Sequence, residues 1–180
     1  MGICGASGTG KSTLVKLLLG QLEPTEGNIS YGGVPFGEIC KDKFYKKIAY
    51  ISQDATLFRE SIAENLRLGK ADASKEELIE ACERAKIYDF ISELPEGLET
   101  DIGENGSMLS GGQRQRVLLA KAFLRDAEVY VFDEATGALD GQVGKEIEEA
   151  IEALPKDKIV ILVSHKQSLL NRCDRVISVS

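Results

Sequence analysis

Two adjacent carboxylates, Asp133 and Glu134, end the short apolar run Val129 to Phe132. A buried parallel strand that stops in charge delivers that charge to the carboxyl edge of a sheet, where α/β proteins bind ligands. Neighbouring strand residues face opposite ways, so the two acids can divide the work, one serving a metal ion and the other a water. Taken alone, they are equally well two solvated acids at a strand end. The start of the chain weighs against that. Gly5-Ala6-Ser7-Gly8-Thr9-Gly10-Lys11-Ser12 has two glycines bracketing four residues, followed by a lysine and a hydroxyl residue, the pattern of a phosphate-binding loop. Glycines let consecutive N–H groups turn inward on an anion, and the helix that follows adds the positive end of its dipole. Lys11 would reach the β- and γ-phosphates and the Ser12 hydroxyl would hold Mg²⁺. A glycine-rich turn before an amphipathic helix is the plainer alternative, and it leaves the Gly, Gly, Lys and Ser offsets unexplained.

A second such entrance lies at Leu109-Ser110-Gly111-Gly112-Gln113. Paired glycines at a helix start again free N–H groups for an anion, with the Ser110 hydroxyl as a further donor. The first loop already satisfies one nucleotide, so a second entrance implies a nucleotide held by another molecule, hence a dimer. Gln53 follows the apolar run Ile48 to Ile51, and His165 follows the β-branched run Ile159 to Val163. A lone histidine is usually structural or merely exposed. Here it is one more polar residue delivered by a strand's carboxyl end.

The elements that must position these residues alternate between helix and strand. Lys11 to about Leu19 reads as a helix with Leu14, Leu17 and Leu18 on its buried face, stopped by Gly20. Asn28 to Tyr31 is a short strand closed by Gly32-Gly33, and Lys47 to Ser52 is another. From Ser74 to Leu94 the spacing of Leu78, Ile79, Cys82, Ala85 and Ile87 is helical, opened by a Ser74–Glu77 capping box. Gln115 to Phe123, Gln142 to Leu154 and Ser168 to Cys173 read as helices. Ile159 to Val163 reads as a buried strand, and Arg175 to Val179 as the last one. The fold class is therefore α/β, a mostly parallel sheet with a helical insert.

Composition bounds the rest. The 180 residues are 43% hydrophobic and 28% charged with a net charge of -7, which describes one acidic globular domain and argues against a nucleic-acid partner. Cys4, Cys40, Cys82 and Cys173 form no Cys-x-x-Cys pair and the one histidine lacks a partner nearby, so zinc is not expected. A reduced, cytosolic setting fits best. The longest apolar runs are too short to span a bilayer.

With these pieces in order, the chain resembles the nucleotide-binding domain of an ATP-binding cassette (ABC) protein over nearly its whole length. Gly5 to Ser12 corresponds to the Walker A loop, Gln53 to the Q-loop, Leu109 to Gln113 to the signature, Val129 to Glu134 to the Walker B strand, Ala138-Leu139-Asp140 to the D-loop and His165 to the switch histidine. Leu57-Phe58, Ser61-Ile62-Ala63-Glu64-Asn65 and Thr100 to Gly106 further resemble the exporter branch, where these segments face the coupling helices of a membrane domain. The resemblance implies a P-loop NTPase (RecA-like) core at 1–53 and 116–180 with a helical signature subdomain at 54–115. It implies ATP and Mg²⁺ as ligands. Gly5, Ala6, Ser7, Gly8, Thr9, Gly10, Lys11, Ser12 and Thr13 would hold one face of the nucleotide. Ser110, Gly111, Gly112, Gln113 and Asp140 would meet the other from a second nucleotide-binding domain, in a homo- or heterodimer. Ser12, Gln53 and Asp133 would serve the metal; Glu134 would polarise the attacking water, with Gln53 sensing metal and water and His165 touching the γ-phosphate. A transmembrane permease would be the partner and the cytoplasmic face of a membrane the location.

Departures from the family pattern carry their own expectations. Only Met1 to Cys4 precede the Walker A loop, so the strands that usually come first, with the aromatic residue that stacks on adenine, are missing, as are the strands after Ser180. The chain reads as an excerpt trimmed at both ends, with apolar surface and sheet edges uncovered. Gly137 stands where many relatives have Ser. Rival readings are a small P-loop kinase, which leaves Leu109 to Gln113 unexplained; a soluble ABC ATPase of DNA maintenance or translation, for which the insert lacks long heptads and a basic run; and a binding or assembly module that does not hydrolyse ATP.

Overall fold

A computed structural model describes residues 1–134 and 141–180. Gly137 and Asp140, with the rest of the D-loop segment, lie outside the described residues. The apolar runs become strands β1 (Gly2–Cys4), β4 (Ile48–Ile51), β5 (Val129–Asp133), β6 (Ile159–Val163) and β7 (Val176–Ser178), which form one sheet in the order β4-β5-β6-β1-β7. Every neighbouring pair in it is parallel. A separate two-residue hairpin, β2 (Ser30–Tyr31) and β3 (Val34–Pro35), turns at Gly32-Gly33. The helices are α1 (Lys11–Leu18), α2 (Lys41–Lys46), α3 (Ile62–Arg67), α4 (Lys75–Arg84), α5 (Tyr88–Ser92), α6 (Gly111–Leu124), α7 (Gly141–Glu152) and α8 (Gln167–Leu170).

Because all five strands run the same way, their carboxyl ends share one edge, and that edge carries Gly5, Gln53, Glu134 and His165. Side-chain alternation on β5 divides the core between the two faces. Tyr130 and Phe132 join Ile147 and Ile151 of α7 and the apolar faces of α3, α4 and α6. Val131 points the other way, to Ile3, Val163 and the α1 residues Val15 and Leu19. Burying each of these aliphatic side chains is worth about 1.5–3 kcal/mol. The α1 helix is seated by this small second cluster.

Several expectations need correction. The buried face of α1 is Lys11, Val15 and Leu19, spaced four apart, while Leu14, Leu17 and Leu18 are half-buried. Three leucines gave the stronger hydrophobic signal, but the β-branched Val15 lies on the stripe that meets the sheet. The strand β6 is not uniformly buried: Ile159 is 58% exposed and Val163 only 2%. Its neighbour β1 runs beside only Leu162 and Val163. On the α1 face, Ile161 therefore borders an apolar cavity of about 290 Å³ shared with Met1, Leu18, Tyr31, Phe44 and Val129. The helical reading of Ser74 to Leu94 divides into α4 and α5 at Lys86, whose φ is 57°. Finally, α6 begins at Gly111, and it packs on α3, α4, α7 and β4.

Candidate active site

The phosphate-loop segment leaves β1 at Gly5, where a side chain is impossible: a Cβ there would lie 2.2 Å from the Val179 carbonyl oxygen. The residue just past β7, Val179, thus presses directly on the loop's first residue. At the other end Gly10 caps α1 in the left-handed region with φ 92°, and the first-turn N–H groups of a helix have no partner within it. Between them Lys11 is nearly buried and donates from Nζ to the carbonyl oxygens of Ala6 at 2.8 Å and Gly5 at 3.1 Å. The ammonium is held inside the curl of the loop. Thr9 donates from Oγ1 to Ala6 O at 2.9 Å, which tightens the curl. Ser12 is half-buried in the first turn of α1 and Thr13 is exposed.

Asp133 is 2% exposed, and its Oδ1 has no hydrogen-bond partner among the described residues. Its Oδ2 accepts from Tyr50 Oη at 3.4 Å. In the β4–β5 register Tyr50 stands opposite Val131, and Asp133 follows two residues later on the same face. That face is the one covered by α1. Burial, then the Asp133 charge and the bond to it, push the Tyr50 phenol up to about 12, so its hydroxyl stays a donor.

One residue further on, Glu134 leaves the strand with φ 53°. Its N–H donates to Val163 O at 3.0 Å, and its Oε1 lies 2.8 Å from Nε2 of His165. Ser164, buried, accepts from the Lys166 N–H at 3.0 Å in the turn that carries the histidine. Two residues that follow the carboxyl ends of different strands, β5 and β6, are thus in direct contact.

No metal-binding group of three or more His, Cys, Asp or Glu side chains occurs among the described residues. An orphaned buried carboxylate oxygen on the α1 face nevertheless suits Mg²⁺, which is commonly held by one or two carboxylates with phosphate oxygens and waters completing its shell. Asp133 and the Ser12 hydroxyl are the residues that would hold it.

At the second entrance Ser110 caps α6: its Oγ accepts from Gln113 N–H at 3.2 Å and its N–H donates to Gln113 Oε1 at 2.8 Å. Gly111 is exposed, and Gly112 sits so close to α7 that a Cβ would lie 2.6 Å from Cγ1 of Val143. The Ser110 hydroxyl donates to no described residue, which leaves its proton for a ligand. Gln53 is exposed in the turn after β4 and makes no hydrogen bond to another described residue. The structure therefore joins Glu134 to His165 and Asp133 to Tyr50, and leaves Gln53 and the Ser110 entrance outside those contacts.

A family model described as ABC transporter matches residues 1–137. The chain belongs to the ABC transporter family. It is 42% identical over 175 residues to the ATP-dependent lipid A-core flippase of Chromobacterium violaceum, covering 97% of this chain and 30% of that protein. With the beta-(1→2)glucan export ATP-binding/permease protein of Rhizobium meliloti it shares 43% identity over 175 residues, again 97% of this chain and 30% of the relative. The structure of a bacterial Atm1-family ABC exporter with ATP bound superposes with a TM-score of 0.93 at 34% identity, covering 99% of this chain and 31% of that one. The expected α/β P-loop fold and the ABC resemblance are both upheld, with exporters among the relatives. This ABC chain spans about 30% of the length of those curated relatives, and no helix among its described residues is long and apolar enough to cross a membrane.

Two polar residues of this ABC domain have structural roles that the sequence analysis does not assign, although Asn65 is named there within an exporter-like segment. Tyr50 was counted only as part of an apolar run, because its reach to Asp133 depends on strand register. Asn65, which is fully buried, accepts from Phe58 N–H at 2.8 Å and donates to the carbonyls of Phe58 and Ser61 at 3.0 Å each. It ties down the loop that carries the exposed Phe58. The available signal was an Asn four residues after Ser61, whose hydroxyl caps α3 by accepting from Glu64 N–H.

Proposed function

We propose that this chain is the ATP-binding and hydrolysing domain of an exporter. It would work with a transmembrane permease at the cytoplasmic face of a membrane and with a second ATP-binding domain across the nucleotides. The core at 1–53 and 116–180 holds one nucleotide through Gly5 to Thr13, and the helical part at 54–115 offers Ser110, Gly111, Gly112 and Gln113 to the nucleotide of the other domain, together with Asp140. When bound, Mg²⁺ neutralises charge on the β- and γ-phosphates; Ser12 and Asp133 hold it, with Gln53 reporting on its water shell. Lys11 turns its ammonium from the loop carbonyls to the phosphate oxygens, a short movement within one curl of backbone. Glu134 orients the attacking water in line with the γ-phosphorus, and the His165 imidazole donates to a γ-phosphate oxygen as charge builds there. The observation that carries this reading is the Glu134–His165 contact beside a buried Asp133 with one unpartnered oxygen. It supports reading these three side chains as a water-orienting acid, a donor and a cation ligand at the edge where the phosphate loop opens. The names of the relatives, an ATP-dependent flippase and an export ATP-binding/permease protein, support both the ATP chemistry and the membrane partner.

Phosphate release by the 180-residue chain with Mg-ATP tests it. Glu134→Gln keeps size and hydrogen-bonding reach but removes the charge that orients water, so ATP binding persists while hydrolysis falls about 10²–10⁴-fold. Undiminished turnover in that variant would assign the water to another residue and remove the catalytic role of Glu134.

A further inference from the structure

The Asp133 carboxylate is buried among apolar side chains, and the only hydrogen bond it receives from a described side chain comes from Tyr50. A carboxylate with two free torsions, one oxygen bonded and one bare, has its orientation set by whichever donor holds the bonded oxygen. The β4–β5 register fixes where that donor stands, since Tyr50 pairs with Val131, two residues before Asp133 on the same face. Tyr50 is itself anchored by packing on the cluster of Ile3, Val15 and Val131. The phenol approaches Oδ2 and leaves Oδ1 bare on the face covered by α1, the helix that Lys11 and Ser12 begin.

We propose that Tyr50 is a positioning residue for the divalent cation: its hydroxyl holds Oδ2 of Asp133 so that Oδ1 is presented to the metal's coordination shell. This rests on the reading of Asp133 as a cation ligand and adds a residue that acts through it. The Tyr50 hydroxyl bonds Asp133, so its effect is expected on the metal-dependent part of nucleotide affinity alone. At 3.4 Å the bond is long, which sets the effect at the lower end of the roughly 10–100-fold by which partners behind a ligand change metal affinity.

The test uses the full chain, Mn²⁺ as the cation and AMP-PNP as a non-hydrolysed nucleotide. Calorimetry gives the affinity for Mn²⁺–AMP-PNP and, in EDTA, for AMP-PNP alone, for the wild-type chain, Tyr50→Phe and Asp133→Asn. Tyr50→Phe is expected to weaken the Mn²⁺ complex about tenfold and to leave the EDTA affinity within about twofold of wild type; Asp133→Asn is expected to weaken the Mn²⁺ complex at least as much. Wild-type Mn²⁺–AMP-PNP affinity in Tyr50→Phe, beside a loss in Asp133→Asn, overturns the role of Tyr50 and leaves Asp133 as the ligand. No loss in Asp133→Asn overturns the cation reading itself and Tyr50 with it. An equal drop with and without metal in Tyr50→Phe shows that the hydroxyl only supports the fold, and overturns the proposal as well.

Discussion

Asp133 and Glu134 are neighbours in the chain and opposites in environment. Asp133 is the last residue of a strand, buried on the α1 face with a phenol against one oxygen. Glu134 has already left the strand in the left-handed region, φ 53°, a conformation that costs a residue with a Cβ about 1–2 kcal/mol. The N–H bond to Val163 and the contact with His165 hold it there, and strain of this kind at a strand end is characteristic of working sites. The deviation turns the second acid out of the sheet toward the edge where a water can reach it. Tyr50 shows the same local logic through its proton. Its phenol is pushed up from 10.0 to about 12, first by burial and then by Asp133. Between those values the folded chain keeps a proton that the unfolded chain releases, so this residue's contribution to stability is intact below about pH 10 and is lost as pH rises through about 12. In an alkaline titration followed at the phenolate absorbance, Tyr50→Phe is expected to remove one tyrosine's signal from the top of the curve, near pH 12, and to flatten the loss of stability over the same range. A titration whose upper limb is unchanged in that variant would place the late-ionising tyrosine elsewhere.

Helix ends show how local rules assemble the site's supports. The α4 helix begins with the Ser74–Glu77 capping box read from the sequence, and it ends in a closure in which Ile87 N–H donates to Cys82 O at 2.9 Å and Lys86 N–H to Glu83 O at 3.0 Å. Such a closure needs a left-handed residue, usually glycine, just past the helix, and here Lys86 fills it with φ 57°. Lys86→Gly removes that penalty while keeping both backbone bonds. It should stabilise the chain by about 1 kcal/mol and raise Tm by about 2–4 °C, a shift that differential scanning calorimetry resolves; a lower Tm would mean that the lysine side chain contributes more than its backbone strain costs. The contrast between the two ends of α4 explains what a single sequence discloses. A cap that uses side chains, such as Ser74 with Glu77, is written in residue types at fixed spacing. A cap that uses backbone alone is written only when glycine stands there, so Lys86 gave no sign and α4 and α5 read as one helix. The same limit separates the sheet's ends from its faces. Polar or charged residues after an apolar run located the carboxyl ends of β4, β5 and β6 at once. The buried stripe of α1, where Val15 outranks three leucines, and the Tyr50–Asp133 contact depend on which strand lies beside which, in what register. That information is in no local pattern.

At the scale of the molecule the two helix entrances proposed to receive anions sit on different elements. The phosphate loop joins β1 to α1 at the sheet edge, whereas the Ser110 entrance heads α6, which packs on α3, α4, α7 and β4. In α6 the Ser110 Oγ is used as an acceptor by Gln113 N–H and its hydroxyl proton donates to no described residue, while Gly112 is pinned against Val143 and admits no side chain. On the proposed reading, a helix start so equipped would serve a nucleotide held by another copy or another domain. In the proposed dimer each copy brings a net charge of -7, which opposes association, so bound nucleotide with its cation would have to supply the attraction. Glu134→Gln lowers the negative charge beside the γ-phosphate and stops the hydrolysis that would otherwise release it, so this variant is expected to accumulate as an ATP-bound dimer. Adding Ser110→Arg places bulk where the partner's γ-phosphate must sit and removes the capping oxygen, returning the double variant to monomer while each copy still binds ATP through its own loop. Size-exclusion chromatography with light scattering in Mg-ATP distinguishes these states, and nucleotide titration on the monomer checks the second half. If the dimer of Glu134→Gln persists undisturbed with Ser110→Arg in place, Ser110 does not face a nucleotide across the interface, and the copies meet through some other surface.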